Sequence, residues 1–134
     1  MSDVTELTPA TLKKHPLPEI GAGDKNERGS ILIIAGSRDV PGAALLCALS
    51  AMRAGAGRLQ IATVDTVAPH LAMAMPEAMV VGMAQGRDGG FAPSTVKALA
   101  ERAAKADAVV AGPGMQGNKS CEQLAAALLK NGNL

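Results

Sequence analysis

The stretch SILIIAGSRDVPGAALLCALSAMRAGAGRLQIAT, residues 30–63, decides the fold because a strand, a helix and a second strand follow one another in it. Residues 30–35 form an apolar run without polar alternation, which is typical of a strand covered on both faces of a parallel sheet. Residues 42–54 are rich in alanine and leucine and predict a helix that a glycine-rich segment ends. Because this helix has almost no polar side, we expect it to be deeply buried. Residues 58–63 predict the next strand.

The same alternation continues towards the carboxyl terminus. The predicted elements are a short helix capped by Asp65 and running through Met75, a strand over 78–83, a helix over 94–106, a strand over 107–111, and a last helix in which Ser120 and Gln123 have capping-box spacing. Alternating strands and helices predict right-handed crossovers. The fold class is therefore α/β, with a mostly parallel sheet and helices on both faces in a Rossmann-like three-layer arrangement.

The first 28 residues lack a sustained hydrophobic period and contain several prolines and glycines. We therefore expect residues 1–28 to form an irregular amino-terminal arm and residues 29–134 to form the α/β unit. The start of the chain has neither a basic segment nor an apolar segment of signal-peptide type. No later apolar stretch reaches the length of about 18 residues that a membrane span needs. These features predict a cytoplasmic protein.

Composition excludes several function classes. The 13 basic and 12 acidic residues nearly cancel and form no runs, so the sequence has no electrostatic footprint for nucleic acid or a membrane surface. Phe91 is the one aromatic residue, and the core must be built from aliphatic side chains and methionine. The methionines expected in that core are Met73, Met75, Met79 and Met83. Cys47 and Cys121 lack metal-site spacing and are expected to be reduced thiols on helices.

Two glycine-bearing turns follow the first and fourth predicted strands, over Gly36–Ala43 and Gly112–Gly117. Ligands of open parallel sheets bind at the carboxyl ends of strands, and both turns occupy such positions. Free amides at Gly42 and Ala43, where a helix begins, are suited to a phosphate or another electron-rich group. The spacing matches neither a GxGxxG fingerprint nor a Walker loop, so ordinary tight turns are equally compatible with it.

The remaining titratable residues have structural interpretations that outweigh catalytic ones. Asp39 is predicted to stabilise a turn and Asp65 to cap a helix. His15 and His70 have no partner at metal-ligand spacing, so we expect surface or packing roles for them. Arg53 lies where a cation offsets the dipole at the end of a helix.

Several short motifs together resemble the ADP- or ATP-dependent NAD(P)H-hydrate dehydratases. The motifs are Ala35-Gly36-Ser37, Pro41-Gly42-Ala43-Ala44-Leu45-Leu46, Ala51-Met52-Arg53-Ala54-Gly55-Ala56-Gly57, Val67-Ala68-Pro69, Met75-Pro76-Glu77-Ala78 and Gly112-Pro113-Gly114, with Lys25 and Gly29 before them. Each motif is degenerate, but their order extends over roughly a hundred residues, and this makes accidental agreement improbable.

The resemblance implies a ribokinase-like fold, of which residues 29–134 are the amino-terminal half. It also implies a lyase that phosphorylates the hydroxyl of hydrated NADH or NADPH, using ADP or ATP with Mg²⁺, and then eliminates to regenerate the reduced cofactor. Ala43 and the Gly112-Pro113-Gly114 turn would contact the hydrated dinucleotide. The full set of substrate-binding residues expected from the resemblance is Gly36, Ser37, Gly42, Ala43, Gly112, Pro113 and Gly114.

This sequence departs from the family pattern because three segments that follow the Gly-Pro-Gly turn in the family do not occur after Gly114. They are the His-Pro-Gly-Glu segment, the Lys-Gly turn and the Gly-rich Gly-Asp motif with the expected catalytic base. Losing a general base forfeits a factor of about 10² to 10⁴, so negligible turnover by this chain alone is expected. An incomplete sheet also predicts a homo-oligomer. Two alternatives stay open, a ribokinase-like kinase of a small alcohol such as a vitamin precursor, and a non-catalytic nucleotide-binding module.

Overall fold

A computed structural model describes residues 6–16 and 28–131 of the chain. In order, its elements are α1 (Pro9–Lys13), β1 (Ser30–Ile34), α2 (Gly42–Arg53), β2 (Arg58–Val64), α3 (Ala68–Ala74), β3 (Met79–Met83), a 3₁₀ turn (Pro93–Thr95), α4 (Val96–Ala103), β4 (Ala108–Ala111) and α5 (Lys119–Asn131). Among these residues no helix has both the length and the apolar character needed to cross a membrane.

The four strands form one parallel sheet in the order β3-β2-β1-β4. The predicted α/β class with a parallel sheet is confirmed. The chain moves outward from β1 to β2 and β3, and then returns past them to β4. With right-handed crossovers, α2 and α3 therefore cover one face, and α4, which contacts α5, covers the other. The strand order reverses between β1 and β4, and this is the position where open sheets of this kind bind ligands.

The core is centred on β1 and β2, the two inner strands. Leu32, Ile33 and Ile34 are buried, as are Ile61 and Val64 of β2. Each inner strand has a hydrogen-bonded neighbour on both sides, and helices cover both faces of the sheet. This explains the apolar run of β1 and the mostly apolar second half of β2.

The prediction that α2 is deeply buried is wrong. Only Ala44 and Ala48 of this helix are buried, whereas Leu46 is 67% exposed. Alanines at i and i+4 form a narrow stripe that lets the helix axis approach β1 and β2 closely. No described residue forms a further layer over the outer side of the helix, so Leu46 and Leu49 are exposed, whereas Leu45 packs partly against the core.

The prediction that Asp65 caps the third helix is also wrong. The amide of Asp65 donates to the Met83 carbonyl (2.8 Å), so the backbone still pairs with the neighbouring strand at this position. The helix begins at Ala68 after Val67, and Val67 has no capping side chain. The extra length of β2 therefore moves the helix start beyond the reach of Asp65.

Capping at the last helix likewise differs from the prediction. Ser120 lies within the first turn of α5 and is buried. Asn118 precedes the helix, and its Oδ1 accepts the amide of Cys121 at 2.9 Å. This is the bond that an N-cap side chain makes to the third helical residue, so Asn118 is the cap.

A short helix lies within the arm that the sequence predicts to be irregular. Thr8 Oγ1 accepts the amide of Thr11 (3.1 Å), and Pro9 occupies the first helical position, where its missing N–H is tolerated. These local signals explain the five-residue α1. Residues 1–5 and 17–27 of the predicted arm, including Lys25, lie outside the described residues, and the division at residue 29 stays a prediction.

The methionines divide between core and surface, so the core prediction is wrong for two of them. Met75 and Met83 are buried, whereas Met73 is 86% and Met79 is 56% exposed. Met79 opens β3, a strand at the edge of the described sheet, and has less cover than an inner position. Cys47 and Cys121 are free thiols on α2 and α5, as predicted.

Candidate functional site

The two predicted glycine turns meet at the carboxyl end of the sheet. They are the β1–α2 turn, residues 35–41, and the β4–α5 turn, residues 112–118. The amide of Gly36 donates to the Pro113 carbonyl (2.8 Å), and the amide of Gly112 donates to the Ile34 carbonyl (3.1 Å). Because β1 and β4 are parallel neighbours, the turns that follow them lie side by side. This is the position at which open sheets of this kind form a ligand crevice, and the two turns would be its walls.

Gly114 brings these two walls into close contact. A Cβ at this position would lie 2.6 Å from the Ala43 Cβ and 2.8 Å from the Val40 carbonyl oxygen, and the φ of Gly114 is +67°. Both the space and the backbone conformation therefore require glycine. Ala43, at the start of α2, is thus packed directly against the β4–α5 turn.

The start of α2 presents unpaired backbone donors to this crevice. The amide of Ala44 donates to Pro41 (3.1 Å), but the amides of Gly42 and Ala43 have no acceptor among the described residues. A Cβ built at Gly42 would meet no atom within 4 Å, so the backbone is open there. Two free amides at the positive end of a 12-residue helix are suited to an electron-rich oxygen of a ligand.

Gly112 is open in the same way. Its φ is +126°, and a Cβ at this position would meet no atom within 4 Å. The carbonyl of Gly112 accepts the amide of Met115 (3.0 Å), which closes the turn beyond Pro113. Gly112 therefore exposes backbone at the crevice edge while its turn stays internally bonded.

Two buried hydroxyls lie at the base of the β1–α2 turn. Ser37 and Thr63 are fully buried, and neither side-chain oxygen has a hydrogen-bond partner among the described residues. A Cβ at Gly36, whose φ is +80°, would lie 3.0 Å from Thr63 Oγ1. An unpaired buried hydroxyl costs about 1–3 kcal/mol, so this end of the sheet keeps unused hydrogen-bonding capacity. Sequence reasoning missed Thr63, although a polar residue near the end of an apolar strand is a signal.

The β3–α4 loop, residues 84–92, forms a third wall that the sequence did not predict. The amide of Arg38 donates to the Gly89 carbonyl (2.9 Å), which joins the loop to the β1–α2 turn. Asn118 Nδ2 donates to Asp88 Oδ2 (2.5 Å), which joins it to the β4–α5 turn. A sequence signal was present, because Asp88-Gly89-Gly90 follows a predicted strand, but its partners become visible only in three dimensions.

Two carboxylates near these turns, Asp39 and Asp88, accept hydrogen bonds from neighbouring groups. Arg38 Nε donates to Asp39 Oδ1 at 3.0 Å, and both side chains are about half exposed. The hydrogen bond from Arg38, with its charge, lowers the pKa of Asp39. The hydrogen bond from Asn118, followed by that from the Gly90 amide, lowers the pKa of Asp88. Both carboxylates therefore stay ionised at neutral pH. Among the described residues the Asp39 carboxylate accepts hydrogen bonds from the neighbouring Arg38 side chain and not from the backbone of the turn, so its role in stabilising the turn stays a prediction.

The other residues considered for chemistry lie apart from this crevice or are solvated. His15, His70 and Asp65 are exposed. Arg53 is the last residue of α2 and is exposed there, in agreement with the predicted role at a helix end. Within residues 6–16 and 28–131, no three His, Cys, Asp or Glu side chains are grouped as metal ligands would be.

Sequence comparison relates this chain to one enzyme family. A profile of the NAD(P)H-hydrate dehydratase family matches residues 31–133. The ADP-dependent (S)-NAD(P)H-hydrate dehydratase of Xanthomonas campestris pv. campestris is 47% identical over 112 residues, which cover 84% of this chain and 38% of that enzyme. The enzyme of the same name from Bacillus subtilis is 40% identical over 108 residues, which cover 80% of this chain and 36% of the enzyme.

Comparison of folds gives the same result. A crystal structure of the ADP/ATP-dependent NAD(P)H-hydrate dehydratase from Bacillus subtilis, co-crystallised with ATP/Mg²⁺, has a TM-score of 0.65 and 33% identity, covering 87% of this chain and 39% of that one. A ribokinase-like superfamily protein from Enterococcus faecalis has a TM-score of 0.68 at 24% identity, covering 84% and 36%, and shows the fold. The chain spans less than two fifths of each of these four proteins. It belongs to the NAD(P)H-hydrate dehydratase family.

Proposed function

We propose that this chain forms the dinucleotide-binding wall of an ADP- or ATP-dependent (S)-NAD(P)H-hydrate dehydratase, a lyase that returns hydrated NADH or NADPH to the reduced cofactor. The observation that carries the proposal is the meeting of the β1–α2 and β4–α5 turns at the point where strand order reverses. There, the amides of Gly42 and Ala43 have no acceptor among the described residues, and the backbone of Gly112 on the other turn is open. Backbone donors next to glycine backbone suit close approach of a polar ligand.

In this proposal the chain binds and orients its ligand and does not supply the reacting base. The amides at the start of α2 donate to an oxygen of the dinucleotide, and the helix dipole favours negative charge on that oxygen. Gly36 and Gly114 keep the two walls close enough to touch one ligand, while Ser37 and Pro113 lie on the same walls. The direct contacts proposed are those of Ala43 and the Gly112-Pro113-Gly114 turn.

We assign the nucleotide and Mg²⁺ to the part of the relatives that this chain does not span. The relative from Bacillus subtilis was co-crystallised with ATP/Mg²⁺, and the described residues of this chain include no grouped set of three carboxylate, imidazole or thiolate ligands. When bound, nucleotide and metal would supply the phosphoryl group and neutralise its charge. We therefore expect negligible turnover by the 134 residues alone.

The cytoplasm is the proposed location. Cys47 and Cys121 are free thiols on two separate helices, α2 and α5. Free thiols persist in a reducing compartment, where repair of a reduced nicotinamide cofactor would also be needed.

The outer edge of β4 supports self-association. β4 pairs with β1 on one side, and no described strand pairs with its other side. Beside this edge, a groove of about 620 Å³ lies between β4, α4 and α5, with Leu124, Leu128 and Leu129 in its lining. An unpaired edge next to an apolar groove favours pairing with another chain, and we propose a homo-oligomer built on this surface.

Ligand titration of the purified chain tests the proposed function. A ligand that binds only the folded state raises the melting temperature, by an amount that grows with its concentration relative to Kd. We expect NADH hydrate to raise the melting temperature more than NADH, ADP or AMP at equal concentration. A larger effect of AMP or ADP would favour a nucleotide-binding module instead, and no effect of any dinucleotide would contradict the proposal.

An activity assay tests the expected lack of turnover. Recovery of reduced-cofactor absorbance with hydrate, ADP or ATP, and Mg²⁺ should stay at background. Rapid recovery would contradict the assignment of the base to another part of the relatives.

A further inference from the structure

The β3–α4 loop crosses the carboxyl end of the whole described sheet. β3 and β4 lie at opposite ends of the strand order, yet the loop that follows β3 contacts the turn that follows β4. Three inter-strand spacings separate them, a distance of about 14 Å. The loop is a narrow hairpin in which Gln85 pairs with Phe91 and the amide of Gly86 donates to Gly90 (2.8 Å). Phe91 is buried and anchors its base.

The tip of this hairpin contacts both walls of the crevice. Gly89 accepts the amide of Arg38 from the β1–α2 turn, and Asp88 accepts the side-chain amide of Asn118 from the β4–α5 turn. A second oxygen of Asp88 accepts the amide of Gly90 (3.1 Å), which fixes the carboxylate relative to its own loop. One short segment therefore bonds simultaneously to the two turns that form the crevice.

Asn118 is oriented by two bonds of opposite kind. Its Oδ1 accepts the amide of Cys121 as the cap of α5, and its Nδ2 donates to Asp88. Rotating the amide by 180° would place its NH₂ against a backbone N–H and its oxygen against a carboxylate. Both contacts would then be repulsive, so the direction of the amide is determined. The start of α5 is thereby coupled to the position of the β3–α4 loop.

We propose that Asp88 and Asn118 are positioning residues of the crevice, and that their hydrogen bond clasps the β3–α4 loop to the β4–α5 turn so that the two glycine turns keep a fixed separation. This inference rests on the proposed function for the identity of the ligand, but the clasp itself is independent of that identity. Neither residue touches the ligand in this proposal. Both act through Gly89, Arg38 and the β4–α5 turn.

The decisive variant is Asn118→Asp. Aspartate also caps helices, so α5 keeps its cap, whereas the carboxylate now faces Asp88 and replaces attraction by repulsion. The double variant Asp88→Asn/Asn118→Asp exchanges the two groups and restores one amide and one carboxylate across the contact. Gln123→Glu is the matched control, because it adds the same charge near the start of α5 at an exposed position outside the clasp.

Two measurements on each variant separate the clasp from the ligand. Hydrogen exchange of the Arg38 amide, followed by NMR without ligand, reports whether the loop still holds the β1–α2 turn. Isothermal titration with NADH hydrate reports the affinity of the crevice. We expect Asn118→Asp to accelerate Arg38 exchange and to weaken the hydrate Kd by about three- to tenfold. The double variant should recover both values, and Gln123→Glu should change neither.

Unchanged Arg38 exchange in Asn118→Asp would overturn the clasp, and faster exchange with an unchanged Kd would overturn its positioning role. Failure of the double variant to recover either property would overturn the clasp, because it would show that a carboxylate at residue 118, and not loss of the hydrogen bond to residue 88, causes the change. A wild-type chain that binds no hydrate would contradict the proposed function, while Arg38 exchange would still decide whether the clasp holds the turn.

Discussion

Gly114 is the residue at which backbone conformation and packing most clearly limit substitution. In Gly114→Ala the new methyl would overlap Ala43 and the Val40 carbonyl, in addition to the cost of a positive φ. We expect a loss of about 1–3 kcal/mol in the free energy of unfolding, measured by urea denaturation. Gly117→Ala is the control, because a Cβ there meets nothing within 4 Å and the φ of Gly117 is not positive. Equal stability of the two variants would contradict the close contact between the walls.

Thr63 offers a second test at the scale of a single side chain. Thr63→Val keeps the shape of the side chain and removes a hydroxyl that has no partner among the described residues. We therefore expect the free energy of unfolding to rise by up to about 1–3 kcal/mol, the cost of a buried hydroxyl without a partner. The matched variant is Thr95→Val, because the Thr95 hydroxyl donates to the Ala92 carbonyl at 2.7 Å. That variant should lose about 1 kcal/mol in the same denaturation experiment. A comparable loss in Thr63→Val would mean that a buried partner, such as a water molecule, satisfies the hydroxyl.

The glycines of the site could be predicted from the sequence, whereas its side chains could not. Gly36 and Gly112 follow apolar runs directly, so their position at a strand end is a local property of the chain. Asp88 and Asn118 are 30 residues apart, and they meet because β3 and β4 lie at opposite ends of the strand order. Periodicity predicts strands but does not order them within a sheet. The position of the β3–α4 loop beside the two glycine turns therefore could not be predicted from the local sequence.

At the scale of elements, Asp107 links the start of β1 to the start of β4. Its Oδ2 accepts both the amide and the hydroxyl of Ser30, each at 2.7 Å. These bonds, with a smaller effect of the Arg58 charge, lower the pKa of the carboxyl group. A carboxyl group whose pKa is lower in the folded than in the unfolded state stabilises the fold above its unfolded pKa. That stabilisation is lost as the pH falls through the folded pKa.

We therefore expect the wild-type chain to lose stability as the pH falls below about 4, and Asp107→Asn to lose less over the same interval. The melting temperature measured between pH 7 and pH 3 gives both slopes. Asp65→Asn is a suitable comparison, because Asp65 is exposed and accepts no side-chain hydrogen bond from another described residue. If Asp107→Asn and the wild type have parallel pH profiles, the link between the two strands does not depend on the charge of Asp107.

Element boundaries also show what sequence patterns contain and what they omit. The β1 and β2 segments were predicted to within one residue, because inner strands of a parallel sheet need apolar side chains on both faces. The starts of α3 and α5 were predicted less accurately, because the capping residue of a helix depends on where the preceding strand or turn ends. The amide of Asp65 still bonds to the Met83 carbonyl of β3. At α5, Asn118 Oδ1 accepts the Cys121 amide, so Asn118 is the cap and Ser120 lies inside the helix. The prediction that α2 is deeply buried was wrong for a related reason, since the apolar sequence of a helix does not specify which other elements cover it.

Each face of the sheet carries a helix with an exposed leucine, but only one of these two leucines lines the groove beside β4. Leu46 lies on α2, on one face, and is 67% exposed, whereas Leu129 lies on α5, on the other face, and is 68% exposed. Leu129 also lines the groove beside the unpaired edge of β4. If self-association uses this edge and groove, a charge at residue 129 should oppose it, because burying an unpaired ammonium group is costly. The same charge at residue 46 should not.

Light scattering with matched variants tests this asymmetry. We expect the wild-type chain to have an apparent mass above its 13.5 kDa, Leu129→Lys to shift the mass towards the monomer, and Leu46→Lys to leave it unchanged. Both substitutions replace leucines of nearly equal exposure on helices, so general effects of a new lysine cancel between them. Dissociation by Leu46→Lys alone would place the interface on α2, and a monodisperse wild-type monomer would contradict the proposed oligomer. Pairing through β4 would bury backbone as well as leucine. The oligomer should therefore slow hydrogen exchange of those β4 amides that do not donate to β1, and Leu129→Lys should restore their fast exchange. Hydrogen exchange along β4 is thus a measure of edge pairing that is independent of the mass.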